Sequence, residues 1–220
     1  MLIDPARPAE EQLVYAHPQV DLDGAAWSRV RRTLTLAAYD TDKPGRHYFD
    51  AATRQLFQRL ESRLPGMTLT LQSGTLAEDK YIVAAMSDRT QGARYLYDVK
   101  ADSLTLLGEI SPWLKTEQMA AMQPVRYTAR DGLQIPGYLT LPVGRPAKNL
   151  PCVINPHGGP WFRDRWGFNP EVQFLANRGY CVLQMNFRGS TGYGRQFWEA
   201  SFKQWGLAMQ DDITDGVQWL

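Results

Sequence analysis

Apolar and polar positions change their period along this chain, and the changes mark out its elements. Up to about residue 110 the apolar residues come in short β-branched and aromatic runs separated by polar turns. The run Leu34-Thr35-Leu36-Ala37-Ala38-Tyr39 aligns with Tyr81-Ile82-Val83-Ala84-Ala85-Met86. Each is followed by a turn and a second strand-like run, 46–50 in one copy and 94–98 in the other. Ala37 to Ala84 is a step of 47 residues and Asp50 to Asp98 a step of 48. Further strand-like runs, Gln55 to Leu60 and Ser103 to Ile110, close the two copies. Strands returning at this period predict β-propeller blades. Propellers close with roughly four to eight blades, so residues 1–111 read as the C-terminal blades of a propeller that begins upstream. A small β-sandwich is the alternative.

Residues 112–123 read as a linker with a helical pattern from Leu114 to Met122. From 124 to 220 the pattern is that of an α/β domain. Val125 to Ala129 and Leu133 to Leu141 alternate around Asp131-Gly132, a turn pair that accepts positive φ. Cys152-Val153-Ile154 is a short apolar run suited to a central parallel strand. Asn169-Pro170-Glu171 is a helix start, with a capping asparagine, proline at the first position and an early acid. Gly179 supplies its stop. Tyr180 to Met185 is the next buried strand, which completes a βαβ unit. Met209, Ile213, Val217 and Leu220 are spaced as one helix face, and Asp211, Asp212 and Asp215 favour its N-terminal end.

The chemistry concentrates in Asn155-Pro156-His157-Gly158-Gly159-Pro160, directly after a strand. Acyl transfer builds negative charge on a carbonyl oxygen, and a fixed backbone N–H near that oxygen lowers the barrier. Glycine lets the backbone approach a substrate closely. A strand followed by His-Gly-Gly is the placement of an oxyanion loop; a tight strand-exit turn with a packed histidine is the plainer reading.

The run 155–160, then Trp166-Gly-Phe-Asn-Pro-Glu-Val-Gln-Phe-Leu-Ala-Asn-Arg-Gly-Tyr180, resembles the acylaminoacyl-peptidase and dipeptidyl-aminopeptidase branch of the prolyl oligopeptidase family of serine peptidases. So do Asn186-Phe-Arg-Gly-Ser-Thr-Gly-Tyr-Gly194 and Trp205-Gly206. The resemblance implies β-propeller blades followed by the N-terminal half of an α/β-hydrolase domain. It implies Gly159 as an oxyanion donor, with Gly158 and His157 shaping the loop. Tyr193 and Trp161 become candidates to line the substrate pocket, and Arg188 to fix loop carbonyls or a carboxylate. Short peptides are the implied substrates, hydrolysed through an acyl-serine without a cofactor.

The family also needs a Gly-x-Ser-x-Gly elbow followed by Asp and His. No Gly-x-Ser-x-Gly occurs in these 220 residues. Ser190 lies among glycines but has the wrong spacing, and no histidine follows it as a base. The nucleophile, acid and base are therefore expected outside this chain, which is expected to be inactive by itself. An esterase or lipase with the same loop, and a non-catalytic binding module, are the rival readings.

Charge and cysteine usage narrow the partners. A formal net charge of +1 gives no reason to expect nucleic acid or an anionic membrane, and no apolar run is long enough to span a bilayer. Cys152 and Cys181 read as two inert core thiols, and the histidines are too scattered for a metal site. The Asp211-Asp212-x-x-Asp215 run spells a magnesium-diphosphate motif of all-helical enzymes, the wrong architecture for this chain. Compartment is unknown and a homo-oligomer stays open.

Overall fold

A computed structural model describes residues 2–4 and 7–220. A short ribbon, β1 (Leu2–Asp4) with β2 (Arg7–Gln12), precedes two antiparallel meanders. The first holds β3 (Leu22–Ser28), β4 (Thr33–Asp40) and β5 (Pro44–Tyr48), and is followed by helix α1 (Ala51–Arg63). The second holds β6 (Thr68–Gly74), β7 (Lys80–Met86), β8 (Ala93–Asp98) and β9 (Ser103–Glu109).

The repeat in the sequence is a repeat of position. Ala37 of β4 pairs with His47, and Ala84 of β7 pairs with Arg94, each where the second strand of its meander meets the third. The two copies part at the equivalent aspartates. Asp98 accepts the backbone N–H groups of Lys100 and Ala101, which turns the chain into β9. Asp50 accepts the N–H of Thr53 at 2.8 Å and caps a helix instead.

The expectation of a strand over Gln55 to Leu60 is therefore corrected. Leu56, Phe57 and Leu60 recur at helical spacing, with Thr53 on the same face, and bury against Leu69, Val83 and Tyr97. Each of those three apolar side chains contributes about 1.5–3 kcal/mol by leaving water.

The predicted helix from Leu114 to Met122 is also absent; only a 3₁₀ turn, Thr116–Gln118, forms there. Extended backbone is held by Gln173, which accepts from the Ala120 N–H and donates to its carbonyl, both at 2.8 Å. A side-chain amide thereby does what a neighbouring strand would do.

The remaining sheet is mixed, in the order β10-β11-β13-β12. β10 (Met122–Thr128) and β11 (Gln134–Thr140) form the expected hairpin, with Gly132 at φ +91° in its turn. β12 (Cys152–Ile154), α2 (Pro170–Asn177) and β13 (Cys181–Met185) make the βαβ unit, since β12 and β13 are parallel. Asn169 caps α2 through the N–H groups of Glu171 and Val172. α3 (Arg195–Glu199) and α4 (Ala208–Trp219) follow. One face of the sheet packs Tyr127, Ile135, Leu183 and Met185 with Met209 of α4.

Cys152 and Cys181 are registered partners across β12 and β13, with Cα atoms 4.5 Å apart, and form a disulfide. This corrects the reading of two core thiols. β12 is an edge strand, so Cys152 is exposed, and only Cys181 is buried.

Candidate active site

Two loops leave the carboxyl ends of the parallel strands, where ligands bind in open α/β sheets. After β12 runs Asn155 to Phe162; after β13 runs Phe187 to Gly194. They are stitched together, because the Thr191 N–H donates to the Phe162 carbonyl at 2.9 Å.

His157 lies between the loops. Its ring stacks on Phe187 with centroids 4.5 Å apart. Nε2 is 2.8 Å from the Ser190 hydroxyl and Nδ1 is 2.8 Å from the Gly158 carbonyl. A carbonyl only accepts, so in that contact Nδ1 carries the proton. The carbonyl so held belongs to the peptide unit whose N–H is that of Gly159. In a trans peptide the two point opposite ways, so pinning one aims the other. The Gly159 N–H has no hydrogen-bond partner among the described residues. Gly159 itself sits at φ +137°, and a Cβ there would lie 2.9 Å from the Trp161 nitrogen. Glycine is required at 159 for conformation and for space.

Ser190 acquires the histidine contact that linear order concealed, because His157 precedes it by 33 residues. The hydroxyl is nonetheless closed to substrate: Ser190 is 0% exposed, and its single proton has two competing acceptors, His157 Nε2 at 2.8 Å and the Phe187 carbonyl at 2.7 Å. It is a support for the imidazole.

The other sequence candidates separate. Trp161 is half exposed beside Gly159, its indole N–H on the Ser201 hydroxyl at 3.1 Å, among Trp198, Phe202 and Trp205. Tyr193 is tied into a polar cluster. Its hydroxyl accepts from Asn186 Nδ2 at 2.7 Å and from Arg163 at 2.8 Å, and burial raises its pKa. Arg188 takes a carboxylate, that of Asp212.

Asp164, five residues after Gly159, carries no motif in the sequence. Its Oδ1 accepts from Gln184 at 2.8 Å, while Oδ2 is buried without a partner among the described residues. Burial raises its pKa, with His157 and Gln184 opposing. Asp164 also lines a cavity of about 710 Å³ between the meanders and residues 162–169. Only folding reveals this environment, since nothing local in the sequence marks that carboxylate.

Residues 166–220 match the prolyl oligopeptidase family. Over 177 residues, 77% of the chain, the sequence is 39% identical to dipeptidyl aminopeptidase BIII of Pseudoxanthomonas mexicana. The chain belongs to the prolyl oligopeptidase family. Another relative bearing a peptidase name, dipeptidyl peptidase family member 6 of Caenorhabditis elegans, is 28% identical over 96% of the chain. The chain spans 26% and 32% of the length of these two family proteins. In fold it matches an acylaminoacyl peptidase of Pyrococcus horikoshii with a TM-score of 0.64, at 17% identity, over 91% of this chain and 30% of that one. Membership therefore rests on both halves of the chain and not on the His-Gly-Gly loop alone.

Proposed function

We propose that these residues form part of a serine peptidase that hydrolyses short peptides through an acyl-serine, and that they supply its oxyanion loop. On this reading the meanders over 1–111 are propeller blades, 112–123 is the linker, and 124–220 is the first half of the hydrolase domain. The observation that carries it is the unpaired Gly159 N–H, aimed by the bond from His157 to the Gly158 carbonyl. Such a donor is fixed before the reaction and needs no reorganisation as charge grows on the substrate oxygen. Losing one typically costs about 3–4 kcal/mol of transition-state stabilisation.

The edge position of β12 supports the same reading. Its outer side is unpaired among the described residues, and a further parallel strand added there would deliver its carboxyl end beside Gly159. On this reading the nucleophile lies outside these 220 residues; the lack of a Gly-x-Ser-x-Gly and the burial of Ser190 support it. Short peptides are the substrate class, and no step needs a cofactor.

The test uses the full-length gene product with a fluorophosphonate probe, peptide anilides and simple esters. Labelling at one serine outside residues 1–220, with anilides turned over better than esters, is the expected result. Preference for esters would replace the peptidase by an esterase, and labelling of Ser190 would overturn the assignment of the nucleophile.

A further inference from the structure

We propose that Arg163 is a positioning residue that fixes the loop of Gly159 to the first meander, so that docking of the meander sets the geometry of the Gly159 N–H. The inference rests on the proposed role of that N–H. Arg163 is 3% exposed, yet no carboxylate among the described residues pairs with it. Its guanidinium instead donates to the backbone carbonyls of Asp40 and Thr41, at the end of β4, each at 3.2 Å. The same fork donates to the Tyr193 hydroxyl and stacks over that ring at 4.2 Å. A buried cation held by neutral groups is costly to desolvate, so local stability gives little reason for it. What its geometry does is join three segments: the turn after β4, the loop after β12 and the loop after β13.

Neighbouring contacts tighten the same junction. Phe162, next to Arg163, donates its N–H to the Pro160 carbonyl at 2.9 Å, which leaves a short and stiff path to Gly159. Gly192 at φ +88° leaves room for the fork, since a Cβ there would stand 2.7 Å from Arg163 NH1. The Gly192 carbonyl accepts the Asp21 N–H at 3.1 Å, another strap to the first meander. Arg165 is not part of this fastening: it pairs with Asp40 at 2.7 Å and with Asp23 at 2.8 Å from a half-exposed position, and has no bond to the loop of Gly159 or to the loop after β13 among the described residues.

Arg163→Lys keeps the charge and loses the planar fork. In the full-length protein we expect kcat for a peptide anilide to fall about tenfold or more with KM within about threefold, since a loop displaced by about 1 Å loses transition-state contacts first. Amide hydrogen exchange over residues 158–162 should speed up in the same variant. Gly192→Ala, which crowds the fork without removing it, should give the same pattern. Arg165→Ala is the control; it breaks both ion pairs and leaves the Arg163 bonds, so exchange over 158–162 should stay as in wild type. Unchanged exchange in a folded Arg163→Lys protein would overturn the proposal, as would an equal effect from Arg165→Ala. Should wild-type protein hydrolyse no peptide, the peptidase reading fails, and the exchange measurement still decides the anchor.

Discussion

Arg188 and Asp212 form a two-pronged pair inside the protein: Nε lies 2.9 Å from Oδ2 and NH2 lies 2.7 Å from Oδ1. The backbone N–H of Arg188 adds a third bond to Oδ2, and Asp212 is 0% exposed. This pair ties the loop after β13 to helix α4. It also accounts for the acidic run at 211–215. Asp212 belongs to Arg188, while Asp211 and Asp215 belong to Arg130, so the run serves as a set of anchors for arginine.

Removing Asp212 leaves Arg188 buried and charged, with the half-exposed Asp131 at 2.7 Å as its one remaining carboxylate among the described residues. Asp212→Ala is expected to cost about 3–5 kcal/mol of stability, read from urea unfolding. A loss below about 1 kcal/mol would mean that water reaches Arg188 readily and that the pair is not a fastening.

The two glycines of the loop should respond differently to a methyl group. Gly158 is exposed, has no atom within 4 Å of a built Cβ, and lies outside the left-handed region. Gly158→Ala should change stability by no more than about 0.5 kcal/mol. Gly159→Ala forces a side chain to φ +137° and against Trp161, at about 1–3 kcal/mol. Paired thermal melts of the two variants measure the difference, and equal effects would contradict the loop conformation.

Asp164 should make the protein less stable as pH rises. Burial lifts its folded pKa above 3.8. Between that value and the raised one the folded state keeps a proton that the unfolded state has released, so stability drops with increasing pH through that window. Asp164→Asn stays neutral and places an amide near the unpartnered Gln184 oxygen. It should be more stable than wild type at pH 7 by about 1 kcal/mol, and the gain should vanish below about pH 3.8. A variant equally or less stable at pH 7 would refute the cost assigned to this carboxylate.

How much of this was legible in the sequence depended on whether the deciding contacts were local. Asn169-Pro170-Glu171 carries its own capping chemistry, so α2 was readable. So was the step of 47 residues between Ala37 and Ala84, because strand order in a meander follows chain order. The repeat predicts a strand where helix α1 forms, although Leu56, Phe57 and Leu60 have helical spacing. The linker departs from its pattern for the opposite reason: its apolar residues are helically spaced, but Gln173, more than fifty residues on, satisfies its backbone in extended form. The loop of Gly159 was found from its motif. What holds it was not, since His157 meets Ser190 across 33 residues and Arg163 meets Asp40 across 123.

The hairpin turn between β10 and β11 supplies a last test, this time in acid. Asp215 is held below its usual pKa chiefly by the side-chain bond from Arg130, and Asp131 chiefly by that from Arg188. A carboxylate with a depressed folded pKa binds its proton more readily when unfolded. Its contribution is therefore present above about pH 3.8 and is lost as pH falls through the folded value. Arg130→Met removes the side-chain partner of Asp215 and Asp211, keeps the bond from the backbone N–H of residue 130 to Asp215, and leaves the Arg188–Asp131 bond in place. At neutral pH the variant should unfold at lower urea than wild type. As pH is lowered past the carboxylate range the two curves should converge, because wild type has then lost the same interaction. Urea midpoints from pH 2.5 to 7 provide the comparison. A gap that persists undiminished at the acid end would mean that Arg130 stabilises through the packing of its aliphatic stem, not through the carboxylates that its guanidinium meets.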